Sequence, residues 1–165
     1  MGILNTQVQY GWVSRMLHWI IVLGIAAQWL LAEAGDDAMM LHQSIGMTIL
    51  GLALFRLVWR VVNPAPAWPA DSKPYEIQLA RVVHVAFYVL LFALPITGWA
   101  VSSVEDEPLT FFNLFDIPRI VLGSEDTLEE VHETLFNILV ALAVLHALGA
   151  AKHWLARHRR GVAIH

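Results

Sequence analysis

Apolar residues along this chain fall into four long runs separated by polar punctuation: roughly Val13 to Ala32, Leu41 to Val62, Ile77 to Val101 and Leu128 to Leu155. At the rise of an α-helix each run is long enough to cross a hydrocarbon layer of about 30 Å. The pattern predicts an all-α, four-helix transmembrane bundle forming a single domain over residues 1–165. GDDAMM leaves only a short turn between the first two spans, so these should be antiparallel neighbours. NPAPAWPADSKPYE cannot continue a helix and reads as a stiff loop. Pro95 and Gly98 predict a kink in the third span. The connection from Ser102 to Thr127 holds Phe111, Phe112 and Phe115, an aromatic density that suits a cap lying on the membrane surface. The fourth span should start at Asp126 or Thr127, with Glu129 and Glu130 in a first turn whose dipole favours acids. Residues 1–11 are short and polar, and are expected to be disordered or interfacial. Ala32-Glu33-Ala34 resembles a signal-peptide cleavage site, but the run before it is longer than such a core and only Arg15 precedes it.

Composition agrees with the pattern. The chain is 58% hydrophobic with 15% charged residues and seven Trp, and its mean hydropathy is +0.59; a soluble domain needs no such balance. Trp12, Trp19 and Trp29 lie toward the ends of the first run, as interfacial anchors do. The net charge of −4 hides a strong polarity. Four crossings put both termini on one side, together with Arg15, Arg56, Arg60, Lys73, Arg81, Lys152, Arg157, Arg159 and Arg160, leaving Arg119 opposite. The excess of positive residues makes that side cytoplasmic. Twelve of the fourteen acids, all but Asp71 and Glu76, fall on the outer side. The basic residues flank spans and form no nucleic-acid motif.

The absence of Cys excludes disulfides, iron–sulfur clusters, zinc thiolates, thiol catalysis and haem attached through Cys-x-x-Cys-His. Eight His remain as candidate metal ligands. His132 and His146, fourteen residues apart, lie about 21 Å apart along one helix and close to the same face. Polar groups within a membrane are costly and usually functional. Sorted by depth, His42 and His132 form an outer layer, and His18, His84 and His146 an inner one. Each layer draws on at least two helices, which is what a b-type haem held by two axial imidazoles requires. Few acids lie among these inner positions, which disfavours a proton pump or a di-iron carboxylate site. Spacing alone leaves open which two inner histidines would ligate. Arg56 and Arg60 end the second span on one face, where they can snorkel or pair with cofactor carboxylates. Gly46 and Gly51 leave room for a neighbouring helix or a flat ligand.

The ordered set Arg15-Met16-Leu17-His18-Trp19, Leu41-His42-Gln43-Ser44-Ile45-Gly46, His84-Val85-Ala86-Phe87-Tyr88, Ala93-Leu94-Pro95-Ile96-Thr97-Gly98, Val131-His132-Glu133-Thr134-Leu135 and Leu145-His146-Ala147 resembles the bacterial four-helix cytochrome b561 family. The resemblance covers nearly the whole chain. It implies a multi-pass protein of the bacterial inner membrane with two haem b groups, the inner on His18 and His146 and the outer on His42 and His132. His84, Arg56 and Arg60 would then surround the ligands.

Characterised members of that family are similar to superoxide oxidases, which pass an electron from superoxide to ubiquinone. Lys73 and His153 match positions that the family uses around the quinone. The chemistry is reasonable, because a cation steadies negative charge on a reduced quinone oxygen and a histidine can deliver a proton. The acidic outer face departs from this picture, since its field repels an anion such as superoxide and suits a cationic or protein donor better. The alternative reading is a non-catalytic electron-carrier subunit linking a periplasmic redox partner to the quinone pool.

Overall fold

Four helices carry the four runs: α1 (Trp12–Glu33), α2 (Met39–Val62), α3 (Pro74–Val104) and α4 (Glu125–Val162). Each contains a stretch long and apolar enough to cross a membrane. The computed structural model describes residues 2–68, 72–104 and 109–162, without the side chains of Asp37, His153 and residues 156–162.

Two helices begin earlier than the hydrophobic pattern predicts, and capping is the reason. Pro74 opens α3 at the position where a missing N–H costs nothing, while the Glu76 carboxylate accepts the Lys73 amide at 3.2 Å. The Pro-rich loop therefore ends by starting a helix. In α4 the Ser124 carbonyl accepts the Leu128 amide at 3.0 Å and its hydroxyl donates to Thr127 Oγ1 at 3.0 Å. The start moves to Glu125, with Asp126 also in the first turn. Pro95 lies inside α3, and the helix continues through it without interruption.

Among the described residues, close helix–helix packing joins sequence neighbours: α1 with α2, α2 with α3, and α3 with α4. Lipid tails are as apolar as leucine, so such contacts rest on van der Waals fit and small residues more than on burial from water. One cluster joins Ile21 of α1, Ile49 and Ala53 of α2, and Leu91 of α3. A second joins Leu90 and Leu94 of α3 to Leu139 of α4. Exposed apolar side chains such as Leu23, Leu54, Val85 and Leu145 project from all four helices, as lipid-facing residues should.

Both ends of the bundle carry ordered covers. At one end, residues 2–11 form a strap tied down by Asn5, which removes the disordered one of the two alternatives expected for this terminus and leaves the interfacial one. The Asn5 amide donates to Asn63 Oδ1 at 3.1 Å, and its side-chain Nδ2 donates to the carbonyls of Asn63 and Pro64 at 3.0 and 3.1 Å. Its Oδ1 accepts from the Gly11 amide and the Ser14 hydroxyl, both at 2.8 Å. A further bond from the Ala67 amide to the Gln7 carbonyl, at 2.9 Å, joins the strap to the Pro-rich loop.

At the other end, the aromatic connection folds into a hairpin of β1 (Thr110–Phe111) and β2 (Phe115–Asp116), paired antiparallel. Its turn places Phe112 and Asn113 at φ 48 and 56, a left-handed backbone that suits Asn and strains Phe. Ser44, fully buried on α2, holds it there. The Ser44 hydroxyl accepts the Phe112 amide at 2.9 Å and donates to the Thr110 carbonyl at 3.2 Å. The aromatic connection is thus a structured hairpin pinned to α2.

Candidate functional site

The outer histidines meet at the hairpin's end of the bundle. His42 near the start of α2 and His132 in the second turn of α4 both line a cavity of about 600 Å³ whose walls include Gln28, Gly46, Gly98 and Leu109. That volume lies within the roughly 300–1,000 Å³ range of small-molecule and cofactor pockets. Their ring centroids are 6.3 Å apart and the planes 69° apart. Two imidazoles bonded to opposite sides of one metal ion, at about 2 Å per bond, would put their centroids about 6 Å apart.

Proton placement on His132 also fits a ligand. Its Nδ1 lies 3.1 Å from the Leu94 carbonyl, an acceptor that requires the proton on that nitrogen. The Thr97 hydroxyl, 3.0 Å from the same nitrogen, donates its own proton to the Leu94 carbonyl at 2.9 Å. This arrangement leaves Nε2 with a free lone pair, the tautomer that metal-binding histidines adopt when their other nitrogen donates to a carbonyl. Gly98 admits the ring: a β-carbon there would stand 3.1 Å from His132 Cε1. Opposite, Nδ1 of His42 and Oε1 of Gln28 are buried without hydrogen-bond partners. The Gln28 backbone lies near the His42 ring. Orphaned polar atoms beside a cofactor-sized cavity fit a polar or metal-bearing occupant better than a closed core.

The inner histidines also converge. His84 and His146 have ring centroids 5.8 Å apart, and Phe87 stands edge-on to His146 at 5.3 Å. His18 accepts a hydrogen bond at Nδ1 from Arg56 Nη1, at 3.1 Å. It lies within electrostatic reach of both His146 and His84, and Arg60 and Arg56 act on His84 in the same way. The structure therefore brings all five inner candidates together. Packing distinguishes the pairs. His84 and His146 sit on α3 and α4, which are tightly packed, whereas His18 faces α4 from α1, a helix that does not pack closely against it. The outer pair likewise bridges α2 and α4, which are not close neighbours. A flat group fits where helices stand apart.

Lys73 is exposed at the start of α3, with its Nζ 5.8 Å from the centre of the Tyr75 ring. His153 lies on α4, with its side chain outside the described set. Sequence reasoning missed Gln28, Thr97 and the Leu94 carbonyl. A lone amide within an apolar span was the available signal for Gln28; the carbonyl had none.

The family model for prokaryotic cytochrome b561 matches residues 9–163. The chain belongs to the prokaryotic cytochrome b561 family. It is thus a multi-pass bacterial membrane protein of electron transfer, from a family that binds haem b. Cytochrome b561 homolog 2 of Escherichia coli (strain K12) is 33% identical, over 93% of this chain and 88% of the relative. Probable superoxide oxidase CybB of Yersinia pestis is 29% identical over 88% of each. Cytochrome b561 homolog 1 of Escherichia coli (strain K12) is 26% identical over 83% of this chain and 85% of the relative. The cytochrome b561 chemistry agrees with a donor set made of imidazole alone.

Proposed function

We propose that this cytochrome b561 is a dihaem b oxidoreductase of the bacterial inner membrane that moves electrons between a donor at its acidic end and ubiquinone at its basic end. Both termini lie in the cytoplasm in this reading, and the whole chain acts as one domain. The observation that carries it is the pair of histidine clusters stacked along α4, of which His42 and His132 stand 6.3 Å apart beside a cofactor-sized cavity. His42 and His132 would hold the outer haem, and His18 and His146 the inner one.

Haem b, when bound, supplies a one-electron iron couple whose potential depends on axial ligands, hydrogen bonding and burial. The chain's own groups set those conditions. The Leu94 carbonyl keeps a proton on His132 Nδ1 and leaves the other nitrogen free for iron. Thr97 reinforces that carbonyl's position. Leu109, next to the hairpin, forms part of the wall of the outer cavity. At the basic end, Lys73 offers a positive charge to a quinone oxygen, and His153 a proton. The balance for superoxide is complete: two superoxide ions each give one electron and leave as dioxygen, while one ubiquinone takes two electrons and two protons.

The name of the Yersinia pestis relative supports superoxide as donor. A second reading, a carrier subunit serving a cationic periplasmic donor, is favoured by the exposed acids Glu129, Glu130 and Glu133 around His132; Glu129 and Glu133 also line the outer cavity. The test is the haem-to-protein ratio together with the reduced-minus-oxidised spectrum. Two haems per chain are expected, one lost in His132→Ala and the other in His146→Ala. A single haem per chain in fully loaded wild-type protein contradicts the reading. Superoxide pulses that leave the oxidised spectrum unchanged would remove superoxide as donor.

A further inference from the structure

An amide stands on the apolar, α2-facing side of α1. Leu17 and Ile21 are buried there, with Ile21 packed against Ile49 and Ala53 of α2, and Gln28 falls on the same side, seven residues beyond Ile21. Gly46 of α2 makes room for it: a β-carbon at position 46 would stand 2.9 Å from Gln28 Nε2. Position 46 lies four residues beyond His42, about one turn along the same face of α2. The Gln28 backbone lies near the His42 ring, and Gln28, His42 and Gly46 all line the outer cavity. The amide is therefore wedged between α1 and α2 beside the His42 ring. Two buried atoms there lack partners, Gln28 Oε1 and His42 Nδ1. The first can only accept a hydrogen bond, and the second carries a proton whenever Nε2 is the ligating nitrogen. Each is costly alone in a low-dielectric span, and the two are complementary.

His132 shows what such a pairing does. Its Nδ1 proton goes to the Leu94 carbonyl, which the Thr97 hydroxyl steadies. We infer that Gln28 is the positioning residue of His42: with Nε2 committed to iron, His42 Nδ1 donates its proton to Gln28 Oε1. The inference rests on the dihaem reading above and concerns its outer ligand pair. The bond fixes both the tautomer and the ring orientation, and a ligand that donates to an acceptor becomes more basic. A more basic ligand favours the ferric state. The two outer ligands differ in one respect. His132 donates to a backbone carbonyl, which any residue supplies, whereas His42 donates to a side chain that one substitution removes or charges. Gln28 is thus a place where the potential of the outer haem is set without touching either ligand.

The test is a spectroelectrochemical titration of the full, haem-loaded chain in neutral phosphatidylcholine nanodiscs. Wild type is compared with Gln28→Met and Gln28→Glu, a His146→Ala background isolates the outer haem, and pyridine haemochrome quantification counts the haem held. Methionine keeps an unbranched side chain of similar length and removes the acceptor. One neutral hydrogen bond is a factor of about five in an equilibrium. In Gln28→Met the outer haem should therefore become about fivefold easier to reduce, a rise of about 40 mV at about 59 mV per tenfold for one electron, with the inner midpoint unchanged. Gln28→Glu keeps an acceptor, so its outer midpoint should lie at or below that of wild type. An unchanged outer midpoint in Gln28→Met overturns the inference, because the side chain then does nothing for His42. A rise in both variants, or loss of the outer haem from both, is the signature of packing alone and also overturns it. Outer haem lost from Gln28→Met but kept by Gln28→Glu supports it. Wild type that loads a single haem or none instead sinks the dihaem reading, so the two failures are distinguishable.

Discussion

Gly98→Ala separates the proposed role of His132 from the stability of the helix that admits it. A β-carbon at position 98 would stand 3.1 Å from His132 Cε1 and 3.4 Å from Nδ1. Carbon pairs settle at about 3.5–4.0 Å, so the ring must retreat by roughly 0.4 Å or more. A retreat along that line stretches the bonds that hold Nδ1 at 3.1 Å from the Leu94 carbonyl and 3.0 Å from Thr97 Oγ1 toward the limit of hydrogen bonding. Metal–ligand distances tolerate only about 0.2 Å, and damage to the groups orienting a ligand lowers metal affinity about 10–100-fold. Helix propensity acts in the opposite direction, favouring Ala over Gly by about 0.5–1 kcal/mol. The expected result is a variant that folds as well as wild type and binds its outer haem about 10–100-fold more weakly. Haem titration into the apo chain, with pyridine haemochrome quantification and thermal unfolding alongside, reads both quantities. Gly51→Ala is the control, because nothing lies within 4 Å of the β-carbon it adds. If Gly98→Ala retains two tightly held haems with wild-type spectra, His132 is not an axial ligand in this position. Equal haem loss in Gly51→Ala would instead point to general helix flexibility.

Two further outcomes follow from charge and from the strap. Raising ionic strength screens the acidic face, so oxidation of a cationic protein donor should slow with added salt and reaction with superoxide should quicken; stopped-flow rates between low and moderate salt check the opposite signs. Asn5→Ala removes four side-chain hydrogen bonds. At about 0.5–1.5 kcal/mol each, with water replacing part of the loss, the strap should be loosened by about 2 kcal/mol, seen as faster amide exchange at Ala67 and Gly11 with little change in α2 or α3.

What could be read from the sequence was whatever depends on local periodicity. Four apolar runs specify four helices, and two histidines fourteen residues apart must project from one side of α4 at two depths. The strap and the hairpin depend on partners far away in the chain. Asn5 is bonded to a residue 58 positions on, and Ser44 to one 68 positions on. The turn at Phe112 lacks the glycine that would announce a left-handed backbone, and its amide is held by the distant Ser44 hydroxyl. Pro74 read as loop because proline breaks helices, whereas at the first position it begins one. The inner layer is an intermediate case: helical spacing brings His18, His84 and His146 to one depth, but choosing among them needs the knowledge of which helices touch.

That pattern of touching helices bears on how the protein is made. Each span leans on the one synthesised just before it, so a ribosome feeding the membrane delivers every partner immediately before it is needed. α1 and α4 do not pack closely on each other, and in the proposed reading a porphyrin held between them by His18 and His146 would be the rivet that finishes the assembly. Cells short of haem would then accumulate chains that are inserted but unlatched along that edge, and membrane proteases would find them first.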